Sequence, residues 1–174
     1  MSISSRARDF AAKAHAGQMY GPDESYMVHL DAVVKLVGDD IEAAKAIAYL
    51  HDVVEDTGVD IHDIGLRFGG FVADCVSLVT DEPGANRKER KAATHAKLAK
   101  VKYPFYLALV VKAADRCANV EACIRKGNTG LLKMYQDEQE AFRGAVYRPG
   151  LCDHLWQRID NALKARASKG GDNE

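Results

Sequence analysis

The residues best placed to do chemistry are the polar ones that stand inside the most apolar stretches of the chain. His51-Asp52 follows Ala46-Ile-Ala-Tyr-Leu50 and precedes Val53-Val54. An ionised carboxylate in such surroundings is costly unless something compensates it. At helical spacing Glu55 falls on the same face as His51, and Asp56 on the same face as Asp52, so a tight group of mostly acidic side chains is expected there. Like charges at that spacing repel, and a cation at that face would remove the conflict. Asp115 repeats the pattern within Ala108-Leu-Val-Val-Lys-Ala-Ala-Asp-Arg-Cys-Ala118, although Lys112 and Arg116 could neutralise it without any metal. His29, after Tyr26-Met-Val, would by itself pass for a packed or surface histidine. Taken together, imidazole and carboxylate donors with no thiolate among them suit a first-row divalent ion such as Mn²⁺, Fe²⁺ or Zn²⁺. His29, His51, Asp52 and Asp115 on an octahedral ion would leave positions open for water and a substrate oxygen. That is a hydrolytic arrangement, because a bound metal polarises a phosphoryl oxygen and acidifies its water.

Helices must position these groups. The periodicity predicts helices over Arg6–Ala16, Tyr26–Val37, Ile41 to about Asp56, Ile61–Phe68, Val72–Thr80, Arg87–Lys100 and Tyr103–Lys126, with two more before the C-terminus. Gly17–Ser25 and Asp81–Asn86 carry the Gly-Pro signals of loops. The Ile41–Asp56 segment is apolar almost all round and must be buried. Leu107–Val111 alone could be a buried strand, but its neighbours extend it as helix. No segment alternates as a half-buried strand does, and there is no internal repeat or linker. The expected fold is all-α, a single helical bundle of about eight to ten helices, with a domain over 1–167 and a polar, flexible tail over 168–174.

The 174 residues, 47% hydrophobic and 28% charged, fit one globular domain. Lys and Arg number 24 against 25 Asp and Glu, a formal charge of −1, so bulk attraction to DNA, RNA or anionic lipid is not expected. No apolar run approaches the length of a membrane span, and the first residues lack a signal-peptide stretch. Cys75, Cys117, Cys123 and Cys152 do not resemble a disulfide framework, and the expected compartment is the cytosol.

Longer strings sharpen the reading. Phe10-Ala-Ala-Lys-Ala-His-Ala-Gly-Gln18, Tyr26-Met-Val-His29, Ala48-Tyr-Leu-His-Asp-Val-Val-Glu-Asp-Thr57, Phe68-Gly69, Val79-Thr-Asp81 and Val111-Lys-Ala-Ala-Asp-Arg-Cys-Ala-Asn119 stand in that order. They resemble the HD superfamily of metal-dependent phosphohydrolases. Within it they are similar to the RelA/SpoT-type hydrolases, especially the small stand-alone members, which remove the 3′-pyrophosphate from ppGpp and pppGpp. The resemblance covers about residues 6–125. It implies that His29, His51, Asp52 and Asp115 bind one ion, typically Mn²⁺, with other divalent metals also suited. It further implies that Glu55 and Asp56 orient and deprotonate the attacking water. Asn119 matches a substrate-contacting position, and Lys112 and Arg116 would offset charge or reach phosphate. The expected partner is a small-molecule nucleotide, and assembly into a homo-oligomer is compatible with the sequence.

This chain departs from the pattern in two places. Met19-Tyr20 stand where basic residues usually follow the Gly-Gln pair, and Leu30 replaces a proline after His29. Tyr20 could stack on a base instead, and the cluster Arg87, Lys88, Arg90 and Lys91 could supply replacement charge or form a solvated helix face. The departures keep open an HD hydrolase of another phosphorylated nucleotide and a metal-bearing nucleotide sensor without catalysis. His15, His62, His95 and His154 are expected to be structural or exposed, with a place lining the site as the lesser alternative for His15.

Overall fold

A computed structural model describes residues 1–38 and 40–164. Among them the chain forms ten helices and no strand. These are α1 (Ile3–Ala14), α2 (Met27–Val37), α3 (Glu42–Leu50), α4 (Val53–Asp56), α5 (Ile61–Phe68), α6 (Gly70–Val79), α7 (Arg87–Leu98), α8 (Tyr106–Lys126), α9 (Thr129–Val146) and α10 (Asp153–Lys164). The tail expected over 168–174 lies outside the described residues. No described helix is long and apolar enough to cross a membrane. All of the cysteines are free.

Local chemistry sets most of the boundaries. Side-chain oxygens of Ser2, Asp60, Asn86 and Asn128 accept N–H groups in the first turns of α1, α5, α7 and α9, a contribution of typically ~1 kcal/mol each. The Ser2 cap starts α1 at Ile3, earlier than the predicted Arg6. Pro104 disfavours helical geometry at the residue before it, so α8 begins at Tyr106 and not at Tyr103. It ends at Gly127, whose left-handed backbone (φ 67°) suits a residue without Cβ.

The continuous helix predicted over Ile41–Asp56 is interrupted at His51-Asp52. The His51 Nδ1–H donates to the Ala48 carbonyl at 2.8 Å, occupying an acceptor that the Asp52 amide would use in an unbroken helix. Asp52 relaxes to φ −101°, ψ −6°. One turn resumes after it, with the Asp56 amide bonding the Asp52 carbonyl at 2.8 Å.

Helix α8 is the axis of the bundle. It packs against α2, α3, α6, α9 and α10, while α1 covers α3 from the other side. Leu30, Ile47, Leu50, Leu109, Val111 and Val120 are fully buried in one continuous core, which extends to Phe142, Trp156 and Ile159 under α9 and α10. The polar groups of α3 and α8 therefore emerge from the best-packed part of the molecule. We predict that Leu109→Ala lowers stability by about 2–5 kcal/mol, the range for buried leucine truncation. A urea midpoint unchanged at constant m-value would show that Leu109 is not the keystone its burial indicates.

Candidate metal centre

The interrupted helix, α2 and α8 converge on one spot. One ligand atom each from His29, His51 and Asp52 lies within 4.8 Å of the others. His29 Nε2 is 3.5 Å from Asp52 Oδ2 and 3.4 Å from Asp115 Oδ1. His51 Nε2 is 2.9 Å from Asp52 Oδ2 and 3.7 Å from Asp115 Oδ1. Both imidazoles are buried. Because Nδ1 of His51 is committed to the Ala48 carbonyl, its other nitrogen faces the carboxylates, and that nitrogen makes no hydrogen bond. A ligating histidine held by a backbone carbonyl through its second nitrogen is the usual arrangement around protein-bound metals. The donor set and the orphaned Nε2 fit a divalent ion.

The electrostatics carry the same message. Burial opposes ionisation of Asp52 and Asp115, yet the facing imidazoles, and Lys112 for Asp115, hold both carboxyls well below their usual range. Burial would lower the His51 pKa, but Asp52 and Asp115 overcome it and raise it. The carboxylates thus stay charged and strongly favour a positive partner between the rings.

Other groups close around this cluster. The Tyr26 hydroxyl donates to Asp52 Oδ2 at 2.6 Å. Asn119, one turn beyond Asp115, donates its amide to Asp115 Oδ1 at 2.5 Å and accepts from the Tyr20 hydroxyl at 2.8 Å. Lys112 is buried behind Asp115, its Nζ 3.7 Å from Oδ2 and bonded to the Val79 carbonyl at 3.0 Å. Glu55 and Asp56 stand at the solvent side with Asp52, lining a polar cavity of about 250 Å³. The acids expected to share a face therefore do meet at this cavity, while His51 supports them from inside. Glu55 Oε2 accepts the Asp81 amide at 3.1 Å. Partial burial, then the negative charge of Asp81, raises the Glu55 pKa.

The opposite wall of the cavity comes from α7, α8 and α9, with its cations on α7 and α8 and the rings of Tyr135 and Phe142 on α9. Arg87, Lys91 and His95 all face it. Lys91 pairs with Asp81 at 2.6 Å and Arg87 with Glu138 at 2.8 Å. Arg116 reaches Glu138 at 3.3 Å, with the Tyr135 and Phe142 rings 4.6 and 4.2 Å from its guanidinium carbon. Its Nη1 is buried without a partner. The basic cluster of α7 is thus divided, since Lys88 points to solvent. His95 lines the cavity, a position its sequence context did not reveal, yet Arg87, Lys91 and His95 recur every fourth residue and so mark one helix face. Asp81 meets Glu55 through its backbone amide, a contact with no signature in residue type, while its carboxylate takes Lys91. His15 is buried but does not line the cavity; it stacks on Tyr26 at 4.6 Å and bonds Gln18 at 2.7 Å. His62 and His154 are exposed. A second cavity of about 700 Å³ adjoins the first, sharing Asn119 and Tyr135, with Tyr20, Cys123, Lys126 and Leu131 among its walls.

Comparison with known proteins places this architecture. A guanosine-3′,5′-bis(diphosphate) 3′-pyrophosphohydrolase from Vibrio cholerae is 34% identical over 116 residues, covering 63% of this chain and 16% of that protein. A probable enzyme of the same name from Synechocystis is 30% identical over 164 residues, covering 91% of this chain and 22% of the other. The chain therefore spans less than a quarter of the length of these curated relatives. A solved structure of a metazoan ortholog of SpoT, described as hydrolysing ppGpp, superposes with a TM-score of 0.77 at 22% identity, covering 95% of this chain and 96% of that one. The profile of the HD domain matches residues 7–141, from α1 into α9, and so takes in the imidazole–carboxylate cluster and both walls of its cavity. This chain belongs to the HD domain family.

Proposed function

We propose that the protein is a divalent-metal-dependent pyrophosphohydrolase that removes the 3′-pyrophosphate from ppGpp and pppGpp in the cytoplasm, with residues 1–167 as the HD domain. The observation that carries this reading is one polar cavity with an imidazole–carboxylate cluster and Glu55 on one wall and Lys91, Arg87 and Arg116 on the other. The names of the relatives, and the fold shared with the metazoan protein, support the substrate class.

His29, His51, Asp52 and Asp115 would hold one ion, Mn²⁺ by the resemblance. When bound, such an ion supplies Lewis-acid polarisation of a phosphoryl oxygen and a water of lowered pKa. Glu55 and Asp56 orient the attacking water and take its proton. The raised pKa of Glu55 makes it a better proton acceptor than an ordinary carboxylate. Lys112 offsets the charge of Asp115 from behind. Arg116, with Arg87 and Lys91, faces the phosphoryl oxygens, whose negative charge the acidic wall would otherwise repel. Asn119 lines both cavities and Tyr20 meets it from the larger one, where the nucleoside passes from the phosphate cavity into its neighbour.

A second reading keeps the chemistry and changes the substrate to another phosphorylated nucleotide. It is favoured by Met19, half exposed in the loop position where the resemblance leads one to expect a cation. A sensor without turnover is disfavoured by Glu55, held beside the cluster by the Asp81 amide.

With Mn²⁺ the purified protein is expected to release pyrophosphate from ppGpp, and EDTA to abolish it. Release from a different nucleotide in the same panel, with ppGpp untouched, would favour the second reading. Asp52→Ala should lose Mn²⁺ binding and turnover together, and full retention of the ion would remove Asp52 from the ligand set. Glu55→Gln should keep the ion and lower kcat by about 10²–10⁴, the usual worth of a general base. In the wild type, activity should fall as pH drops through the Glu55 pKa, because protonation removes the base. The pKa is raised, so this acid limb lies above the ordinary glutamate range. A Glu55→Gln profile with the same limb would assign it to another group.

A further inference from the structure

Met19-Tyr20 depart from the family pattern, and the structure gives Tyr20 a set of partners that point to the metal cluster. Its hydroxyl donates to Asn119 Oδ1 at 2.8 Å, and the Asn119 amide donates to Asp115 Oδ1 at 2.5 Å. An amide oxygen can only accept, so the Tyr20 hydroxyl is the donor of this bond. With Oδ1 committed to that donor, Asn119 must present its N–H₂ edge to the carboxylate. In the flipped orientation two oxygens would face each other.

The ring has a second partner in the same cluster. It stacks on the His29 imidazole with centroids 4.9 Å apart and planes 23° apart. It also meets Tyr26 edge-on at 6.1 Å, and the Tyr26 hydroxyl bonds Asp52 directly. One loop thus supplies two tyrosines, each connected to a different carboxylate and both packed on the same imidazole. The loop is tied down from α8: Lys126 Nζ donates to the Tyr20 carbonyl at 2.7 Å, lies 4.5 Å from its ring centroid and pairs with Glu24 at 2.6 Å. Arg125 adds a second bond to Glu24 at 3.2 Å.

Resting on the reading that His29, His51, Asp52 and Asp115 hold a divalent ion, we propose that Tyr20 is a positioning residue for that ion. It fixes Asp115 through Asn119 and His29 through the ring stack. The loop that lacks the usual cations thereby orients two metal ligands. Partners that orient ligands typically contribute 10–100-fold to metal affinity.

The test is a double-mutant cycle read by Mn²⁺ affinity, with the EPR signal of free Mn²⁺ as the probe and no substrate present. Tyr20→Phe keeps the ring and deletes only the hydroxyl, so it should weaken Mn²⁺ binding by about tenfold. The unfolding temperature of the metal-free protein should stay at the wild-type value. Asn119→Ala should weaken binding comparably. The double variant should be no weaker than Asn119→Ala alone, because the hydroxyl acts only through that side chain. A general structural role would lower the unfolding temperature and give additive losses. Wild-type affinity in Tyr20→Phe, or additivity in the cycle, overturns the proposal while leaving the metal reading intact. A wild-type protein that binds no Mn²⁺ overturns both.

Discussion

Two carboxylates and two imidazoles are held within a few ångströms of one another at the centre of an apolar helical bundle, and the rest of the molecule accommodates that concentration of charge. Asp52 and Asp115 cannot sit together in such surroundings without a positive counterpart, whether the protons of His29 and His51 or a metal between them. The structure compensates in layers. The imidazoles face the carboxylates, Lys112 backs Asp115, and hydroxyl and amide donors from Tyr26 and Asn119 occupy remaining lone pairs. Only a rigid scaffold can hold these groups at fixed distances, and the tight packing of α8 against five other helices provides it.

The break at His51-Asp52 follows from the same constraint. A continuous helix would carry both residues on through the core. The imidazole takes the Ala48 carbonyl, the backbone turns, and the next turn presents Glu55 and Asp56 to solvent beside the buried pair. Two residues thereby join an interior cluster to an accessible pair of acids. The cationic side chains of α7 and α8 then face this acidic wall across a narrow cavity, a separation of charge suited to a ligand that brings both a metal-seeking oxygen and excess negative charge. Arg116, sandwiched between aromatic rings and left with one free nitrogen, is the deepest of these cations.

Long-range ties decide how open the site is. The loop between α1 and α2 crosses the end of α8, where Lys126 and Arg125 hold it through Glu24, and Tyr20 comes to rest in the larger cavity against Asn119, which lines both. Asp81, just past the end of α6, gives its amide to Glu55 while its carboxylate takes Lys91, so one residue links both walls.

Much of this was legible in the chain itself. Helical period, Gly and Pro punctuation and polar residues embedded in apolar stretches are properties of neighbouring residues, and they located the helices, the all-α class and the embedded His51, Asp52 and Asp115, while His29 joined them through the resemblance to the HD superfamily. The spacing of Arg87, Lys91 and His95 was equally available and marked the helix face that lines the cavity, which composition alone presented as solvated. Tertiary structure alone decided the break within the third predicted helix, because it depends on a side chain competing for a backbone acceptor. It alone joined Tyr20 to Asn119 across 99 positions and the Asp81 amide to Glu55 across 26. Such contacts are set by how whole helices pack, and neither a backbone amide nor a partner far along the chain leaves a trace in local residue pattern.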